Sequence, residues 1–293
     1  MFKSGYIAII GRPNVGKSTL LNKLLGQKVA AVSPKPQTTR HRILGVKHLP
    51  EAQLLFLDTP GIHKPHKSLN EQMMEMAQAA IHDADLFLFM VESALLETDR
   101  EIYRQILSKK KPILLLINKV DKSGSLALIP FMEQCQSAFH PEAIIPISAL
   151  SGAGCDIVET EILKRLPEGP AYFPEDQVTD QTERLIASEV VREKVMGLTQ
   201  KEVPYSVTVQ TETYEEPKKE GGLTRIRAAI IVEKDSQKGI LIGKGGQMIK
   251  KIGESARKDL EAQLGGKVFL ELFVRVEKDW TKDPKKVREL GSF

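Results

Sequence analysis

Gly11-Arg12-Pro13-Asn14-Val15-Gly16-Lys17-Ser18 matches the phosphate-cradling pattern G-x-x-x-x-G-K-[ST], and it stands between an apolar run, Tyr6 to Ile10, and a helical run, Lys17 to Leu25. That context decides the reading. A buried strand turning into a helix aims the unpaired first-turn amides at the loop, where they and the helix dipole stabilise an anion. Gly11 and Gly16 let the backbone approach phosphate oxygens, Lys17 brings a point charge to the β- and γ-phosphates, and the Ser18 hydroxyl suits Mg²⁺. Arg12, Pro13, Asn14, Val15 and Thr19 complete the nucleotide-binding loop.

Outward from this loop, apolar strand-like runs near 41–48, 53–58, 85–91, 112–117 and 143–147 alternate with helical patterns near 69–83, 97–109, 125–138 and 156–166. This βα alternation predicts an α/β P-loop domain with a mixed, mostly parallel sheet and helices on both faces. Pro167-Glu168-Gly169-Pro170-Ala171-Tyr172-Phe173-Pro174 breaks the pattern. The chain therefore divides into a first domain over 1–170, a linker over 171–181 and a second domain over 182–293 that includes a C-terminal extension. The second domain reads as α+β: helix 182–197, strands 205–212 and 223–233, helices 236–242 and 246–264, and a strand over 267–276.

Three further elements refine the nucleotide. Asp58-Thr59-Pro60-Gly61 follows the apolar run Leu54 to Leu57, so Asp58 stands at the carboxyl end of a strand, where it can hold Mg²⁺ through water. Gly61 can offer its backbone N–H to the terminal phosphate. The D-x-x-G pattern also fits Asp121-Lys122-Ser123-Gly124, and the strand end favours Asp58. Asn118-Lys119-Val120-Asp121 ends another apolar strand. The Asp121 carboxylate can accept from guanine N1–H and the exocyclic amine, donors that adenine does not present in that arrangement. Ser148-Ala149-Leu150 completes a base pocket through a backbone N–H.

In order and spacing these four elements resemble the TRAFAC GTPases over residues 1 to about 170. The resemblance implies GTP and GDP as ligands, hydrolysis assigned to Lys17, Thr39, Asp58 and Gly61, and a switch threonine closing on Mg²⁺ beside Ser18 and Asp58. Thr39 of Pro36-Gln37-Thr38-Thr39-Arg40 is favoured for that ligand, with Thr38 as the alternative. After Gly61, where Ras-like proteins carry a water-orienting glutamine, stands Ile62, so slow intrinsic turnover is expected. In relatives with this apolar replacement a K⁺ ion stands where an arginine finger would. Asn14 is the matching candidate ligand, a loop-stabilising role being the alternative.

Gly243-Lys244-Gly245-Gly246 lies between two predicted helices and resembles the G-x-x-G loop of KH domains, which clamps about four nucleotides of a single strand. Two strands before the loop and one after the following helix match the type II KH order. Ile249, Ile252, Ala256 and Leu260 place the apolar face of the long helix inward. Ile242, Gly243, Lys244, Gly245, Gly246, Lys250, Lys251, Arg225 and Arg227 are the candidate RNA-binding residues. Charge agrees with this: Lys218 to Lys258 holds eleven Lys and Arg against four Asp and Glu, whereas Ala171 to Pro217 holds four against ten. Trp280 reads as a packing residue, and Lys285, Lys286 and Arg288 extend the basic surface.

Composition fits this reading. With 293 residues, 41% hydrophobic and 27% charged, the chain suits two soluble domains, and no apolar run is long enough to span a bilayer. A cytosolic protein without a signal peptide is expected. Cys135 and Cys155 lack metal-ligand spacing and read as packing residues; His63, His66 and the other histidines form no metal-like grouping.

A TRAFAC domain joined to one type II KH domain resembles the Era family of GTPases over nearly the whole chain. The resemblance implies binding near the 3′ end of 16S rRNA and a role in 30S subunit assembly and rRNA maturation. It also implies a membrane-peripheral fraction beside a cytoplasmic one, and a monomer is expected. Two competing readings are an RNA-binding protein that uses GTP only as a structural ligand and a metabolic P-loop enzyme, which would not need Asn118 and Asp121.

Overall fold

The computed structural model describes residues 1–62, 68–122, 125–217, 219 and 221–290. Two compact units emerge. The first comprises Met1–Val32, Thr39–Lys64 and Met73–Asp180, and the second Ser33–Thr38, Pro65–Gln72 and Gln181–Phe293.

Unit one is built on β1 (Lys3–Gly11), β2 (Ile43–Leu49), β3 (Ala52–Asp58), β4 (Leu86–Val91), β5 (Ile113–Ile117) and β6 (Ala143–Pro146). These form one sheet in the order β2-β3-β1-β4-β5-β6, in which β2 runs antiparallel and the other pairs are parallel. The helices are α1 (Lys17–Leu25), α2 (Ser68–Asp83), α3 (Glu97–Leu107), α4 (Ser125–Phe139) and α5 (Cys155–Arg165).

Strand periodicity explains why the central runs are apolar throughout. Ile7 and Ile9 of β1 face one core with α1 and α5, whereas Ala8 and Ile10 face a second core with α2, α3 and α4. In β4, Leu86, Leu88 and Met90 join the first core, and Phe87 and Phe89 the second. Phe89 meets Phe139 edge-to-face with centroids 5.6 Å apart. Each fully buried side chain of this size contributes about 1.5–3 kcal/mol of transfer free energy. Cys135 and Cys155 are buried free thiols, and burial pushes Cys135 up to about 11.

The segment after α5, read from composition as a linker, lies on unit one. Gln53, buried in β3, accepts from the backbone N–H of Tyr172 (2.7 Å) and Phe173 (3.0 Å) and donates to the Phe173 carbonyl (2.8 Å). Further on, Val46 N–H donates to the Val178 carbonyl (2.8 Å), and the Thr179 hydroxyl donates to the Leu44 carbonyl (2.7 Å). The chain thereby runs antiparallel beside β2.

Unit two contains α6 (Glu183–Leu198), α7 (Val203–Ser206), β7 (Thr208–Glu215), β8 (Leu223–Val232), α8 (Asp235–Ile242), α9 (Gln247–Leu264), β9 (Lys267–Val276) and α10 (Pro284–Leu290). The sheet order is β7-β8-β9, antiparallel then parallel. Ile226, Ala228 and Ile230 of β8 pack with Val191 of α6, Leu241 of α8 and Ile252, Ala256 and Leu260 of α9 in one core. The strand expected at 205–212 begins at Thr208, because Pro204 starts the short helix α7, where its missing N–H costs nothing. Trp280 is buried and donates to the Ser206 carbonyl (2.9 Å).

The short segments assigned to unit two are polar, and backbone bonds fasten them. Arg192 of α6 is buried, paired with Glu189, and donates to the Thr38 carbonyl. Lys35 Nζ donates to the carbonyls of Met196 and Thr199 at the carboxyl end of α6, where a cation also meets the helix dipole. Ser68 Oγ donates to the Lys282 carbonyl (2.9 Å).

Candidate functional site

At the carboxyl end of β1 the loop turns tightly into α1. Gly16 has φ of 104°, and a Cβ there would stand 2.3 Å from Asn118 Nδ2, so only glycine fits. Gly61 also meets Pro13 closely; a Cβ would lie 2.7 Å from Pro13 Cα. The phosphate loop, the β3 end and the β5 end are therefore packed into one another.

Ser18, Thr39 and Asp58 converge. Ser18 Oγ donates to Asp58 Oδ2 at 2.6 Å and lies 2.7 Å from Thr39 Oγ1, which is itself 3.3 Å from Asp58 Oδ2. Thr38 is turned elsewhere: its hydroxyl donates to the Lys35 carbonyl at 2.7 Å. Asp58 is fully buried, and its Oδ1 has no hydrogen-bond partner among the described residues. Burial raises the Asp58 carboxyl, with Lys17 acting against that rise. A buried carboxylate oxygen without a donor, beside two hydroxyls, is an oxygen set that fits Mg²⁺. Thr59 turns back into the fold, donating to the Ile9 carbonyl at 3.0 Å, and Ile62 is buried in the second core of unit one.

Lys17 is buried, with Nζ donating to the carbonyls of Gly11 (3.1 Å) and Arg12 (2.9 Å). Burial lowers it to about 8, partly offset by Asp58. A triphosphate beside the ammonium restores its charge, so binding near pH 8 should take up about half a proton. Affinity should fall as pH rises above that value, since the free protein must then gain a proton to bind. Titration calorimetry in buffers of different ionisation heat reads this directly; identical heats in all buffers at pH 8 would refute it.

Asn118 holds together the loops expected to form the base pocket. Its Nδ2 donates to the Val15 carbonyl at 2.7 Å, and its Oδ1 accepts from the Ala149 N–H at 2.9 Å, joining the phosphate loop to the loop after β6. Lys119 donates to the Asn14 carbonyl (2.8 Å) and pairs with Glu92, while Asn14 holds φ of 65°. Val120 N–H donates to the Ile147 carbonyl (3.2 Å), and the Ser148 carbonyl accepts from Gly152 N–H (2.7 Å). Asp121, expected to read the base, is exposed, and Leu150 points to solvent. Ser123 and Gly124 lie outside the described residues, as do His63 and His66.

Sequence reasoning missed two carboxylates here. Glu92 follows β4 and orients Lys119. Asp99, fully buried, takes the Arg12 guanidinium on one oxygen at 2.7 Å and caps α3 by accepting from the Leu96 N–H on the other at 2.8 Å. Arg12 is thereby anchored to α3. The available signals were an acid at a strand end for Glu92 and one in a helix first turn for Asp99.

In unit two, the loop between α8 and α9 takes conformations reserved for glycine: φ is 72° at Gly243, 59° at Gly245 and 79° at Gly246. A Cβ on Gly243 would lie 2.8 Å from Met248 Cβ, whereas nothing lies within 4 Å of one on Gly245 or Gly246. Lys244, Lys250 and Lys251 are exposed, and Ile242 and Ile249 are half-buried. Beside the loop a groove of about 380 Å³ runs between α9 and the edge strand β9, lined by Ile249, Lys250, Arg257, Phe269 and Leu272 among others. Arg225 and Arg227 are not part of it. They alternate with the core residues of β8 and so stand on the sheet face opposite the helices.

The sequence matches the family described as 50S ribosome-binding GTPase over residues 6–119 and the KH domain over residues 202–281. It is 49% identical to GTPase Era of Geobacter metallireducens over 292 residues, which is 99% of this chain and 98% of the relative. To GTPase Era of Lacticaseibacillus paracasei it is 47% identical over 290 residues, 98% of this chain and 96% of the relative. A crystal structure of Era in complex with MgGDPNP and nucleotides 1506–1542 of 16S ribosomal RNA matches with a TM-score of 0.95 at 46% identity, over 99% of each chain. An Aquifex aeolicus Era variant bound to GDP·AlF4⁻ matches to the same extent, again with a TM-score of 0.95 at 46% identity. No helix among the described residues is long and apolar enough to cross a membrane. Identity at this level from end to end, in relatives that share both the P-loop unit and the KH unit, makes the chain a member of the Era family of GTPases.

Proposed function

We propose that GTP hydrolysis by this protein times its hold on the 3′-terminal segment of 16S rRNA during assembly of the 30S subunit and rRNA maturation. One observation carries the timing. Thr39 places its hydroxyl in the Ser18–Asp58 cluster of unit one, while its chain neighbour Thr38 belongs to unit two and gives its carbonyl to Arg192. A threonine drawn in by the nucleotide would pull on a segment that the RNA-binding unit also holds.

In this reading Lys17 and the loop amides hold the β- and γ-phosphates, Gly61 N–H donates to the terminal phosphate, and Asp121 selects guanine in the frame that Asn118 fixes. Ser18, Thr39 and Asp58 would hold Mg²⁺, which neutralises phosphate charge when bound. Ile62, buried and apolar, does not orient the attacking water, so intrinsic turnover is slow. K⁺ near Asn14 is part of the proposal; hydrolysis should then be faster in K⁺ than in Na⁺, and equal rates would leave Asn14 a purely structural loop residue. A membrane-peripheral fraction rests on family resemblance alone, and flotation with anionic vesicles tests it.

The decisive experiment measures GTP turnover by the full chain with and without RNA spanning nucleotides 1506–1542. Turnover that changes severalfold with RNA, and RNA affinity that differs between GTP and GDP by the corresponding coupling factor, is the expected result. Identical RNA binding in both nucleotide states removes the switch. RNA binding without phosphate release leaves GTP as a structural ligand.

A further inference from the structure

We propose that single-stranded RNA seated in the α9–β9 groove continues over the edge strand β9 onto the open face of the sheet, where a base stacks on the Arg225–Phe269 pair. The inference rests on the proposed hold on 16S rRNA, takes the groove beside the Gly243–Gly246 loop as its seat, and extends it to a surface on the other side of the strand.

The face is built unlike an ordinary solvated one. Leu223, Arg225 and Arg227 of β8 and Lys267, Phe269 and Glu271 of β9 alternate with core residues, and all six are exposed. Phe269 is 49% exposed on the edge strand, paired in register with Arg225, whose guanidinium lies 5.5 Å from the ring centroid. Arg227 lies 5.0 Å from the Phe273 ring centroid. The arginines differ in their charge partners. Arg227 faces Glu271 at 3.6 Å and Arg275 faces Glu212 at 3.4 Å, so each has a carboxylate partner. Arg225 has no carboxylate within ion-pair distance among the described residues, although Glu215 is its register neighbour on β7.

One free guanidinium over one half-exposed ring is a narrow platform, about the size of a single base. Bases stack on aromatic rings and on guanidinium planes alike. Lys267 stands on the same face, about 7 Å further along β9, as a cation for the backbone phosphate. Continuity selects RNA as the occupant, because Phe269 is also part of the groove wall. A strand clamped at Gly243–Gly246 and lying along α9 and β9 has this ring at its border. The G-x-x-G clamp covers about four nucleotides, so any longer strand must leave the groove somewhere.

The test uses the full chain and fluorescein-labelled oligonucleotides tiled across nucleotides 1506–1542 of 16S rRNA, in lengths of about five and about twelve nucleotides. At least one longer oligonucleotide should bind more tightly than every short one. Arg225→Gln should lower that longer affinity about tenfold and leave the short one within about twofold, and Phe269→Leu should lower the longer affinity by a similar factor. Lys244→Glu should weaken both lengths. Arg225→Gln acting equally on both lengths, or on neither, overturns the proposal. So does a change in the sedimentation of the RNA-free protein on Arg225→Gln, which would assign the face to a second copy of the chain. Failure of the unaltered protein to bind either length would instead strike down the groove reading, and this inference with it.

Discussion

Asn118→Ala should weaken GTP and GDP binding by about a hundred- to a thousandfold while leaving the protein folded. The side chain is buried and bridges two loops by bonds of 2.7 Å to the Val15 carbonyl and 2.9 Å from the Ala149 N–H. Truncation strands both backbone groups in a site that water reaches poorly, at about 1–3 kcal/mol each. At about 1.4 kcal/mol per decade, about 3–4 kcal/mol gives the stated range. It also opens space against Gly16, whose backbone is pressed on the Asn118 amide. Equilibrium binding of a fluorescent GDP analogue measures the change, with thermal unfolding as the control for the fold. A loss under about threefold would show that the two loops keep their places without the bridge.

Gly245→Asp should cost about 30- to 100-fold in RNA affinity with a loss of stability of only about 1 kcal/mol, from the left-handed backbone. Gly245 has φ of 59° and ψ of 24°, a left-handed conformation that aspartate tolerates better than most residues, and no atom lies within 4 Å of the added Cβ. The new carboxylate would stand where the clamp expects phosphates, and repulsion from one or two of them amounts to about 2–3 kcal/mol at an intermediate dielectric. Gly243→Asp is the contrasting variant. There φ of 72° with ψ of 174° and the 2.8 Å approach of Met248 Cβ strain the loop itself, so stability falls together with binding. If Gly245→Asp binds RNA as well as the unaltered protein, the loop is a turn and not a clamp.

The nucleotide motifs were legible because their chemistry needs particular residue types at the ends of strands that are apolar on both faces, as in Leu86 to Val91. Both cores of unit one are written in that double burial, and the type II order of unit two follows from the runs on either side of Gly243–Gly246. Less legible were residues whose role depends on a distant backbone group. Gln53 looks like an ordinary polar residue in a strand until its amide is seen to hold Tyr172 and Phe173. Arg192 carries no local sign that it reaches the carbonyl of a residue 154 positions away. The side of a strand on which a charge stands is legible, but not which side the helices take, so Arg225 and Arg227 could not be separated from the groove by alternation alone.

The run from Tyr172 to Asp180 has a practical consequence. β2 is the border strand of its sheet, and Val178 and Thr179 occupy backbone groups of Leu44 and Val46 that would otherwise be bare. A fragment cut at residue 170, where composition alone would end the first domain, would bare the outer edge of the largely apolar strand Ile43–Leu49 as a template for another chain. Such a fragment should self-associate, and one ending at residue 180 should stay dispersed.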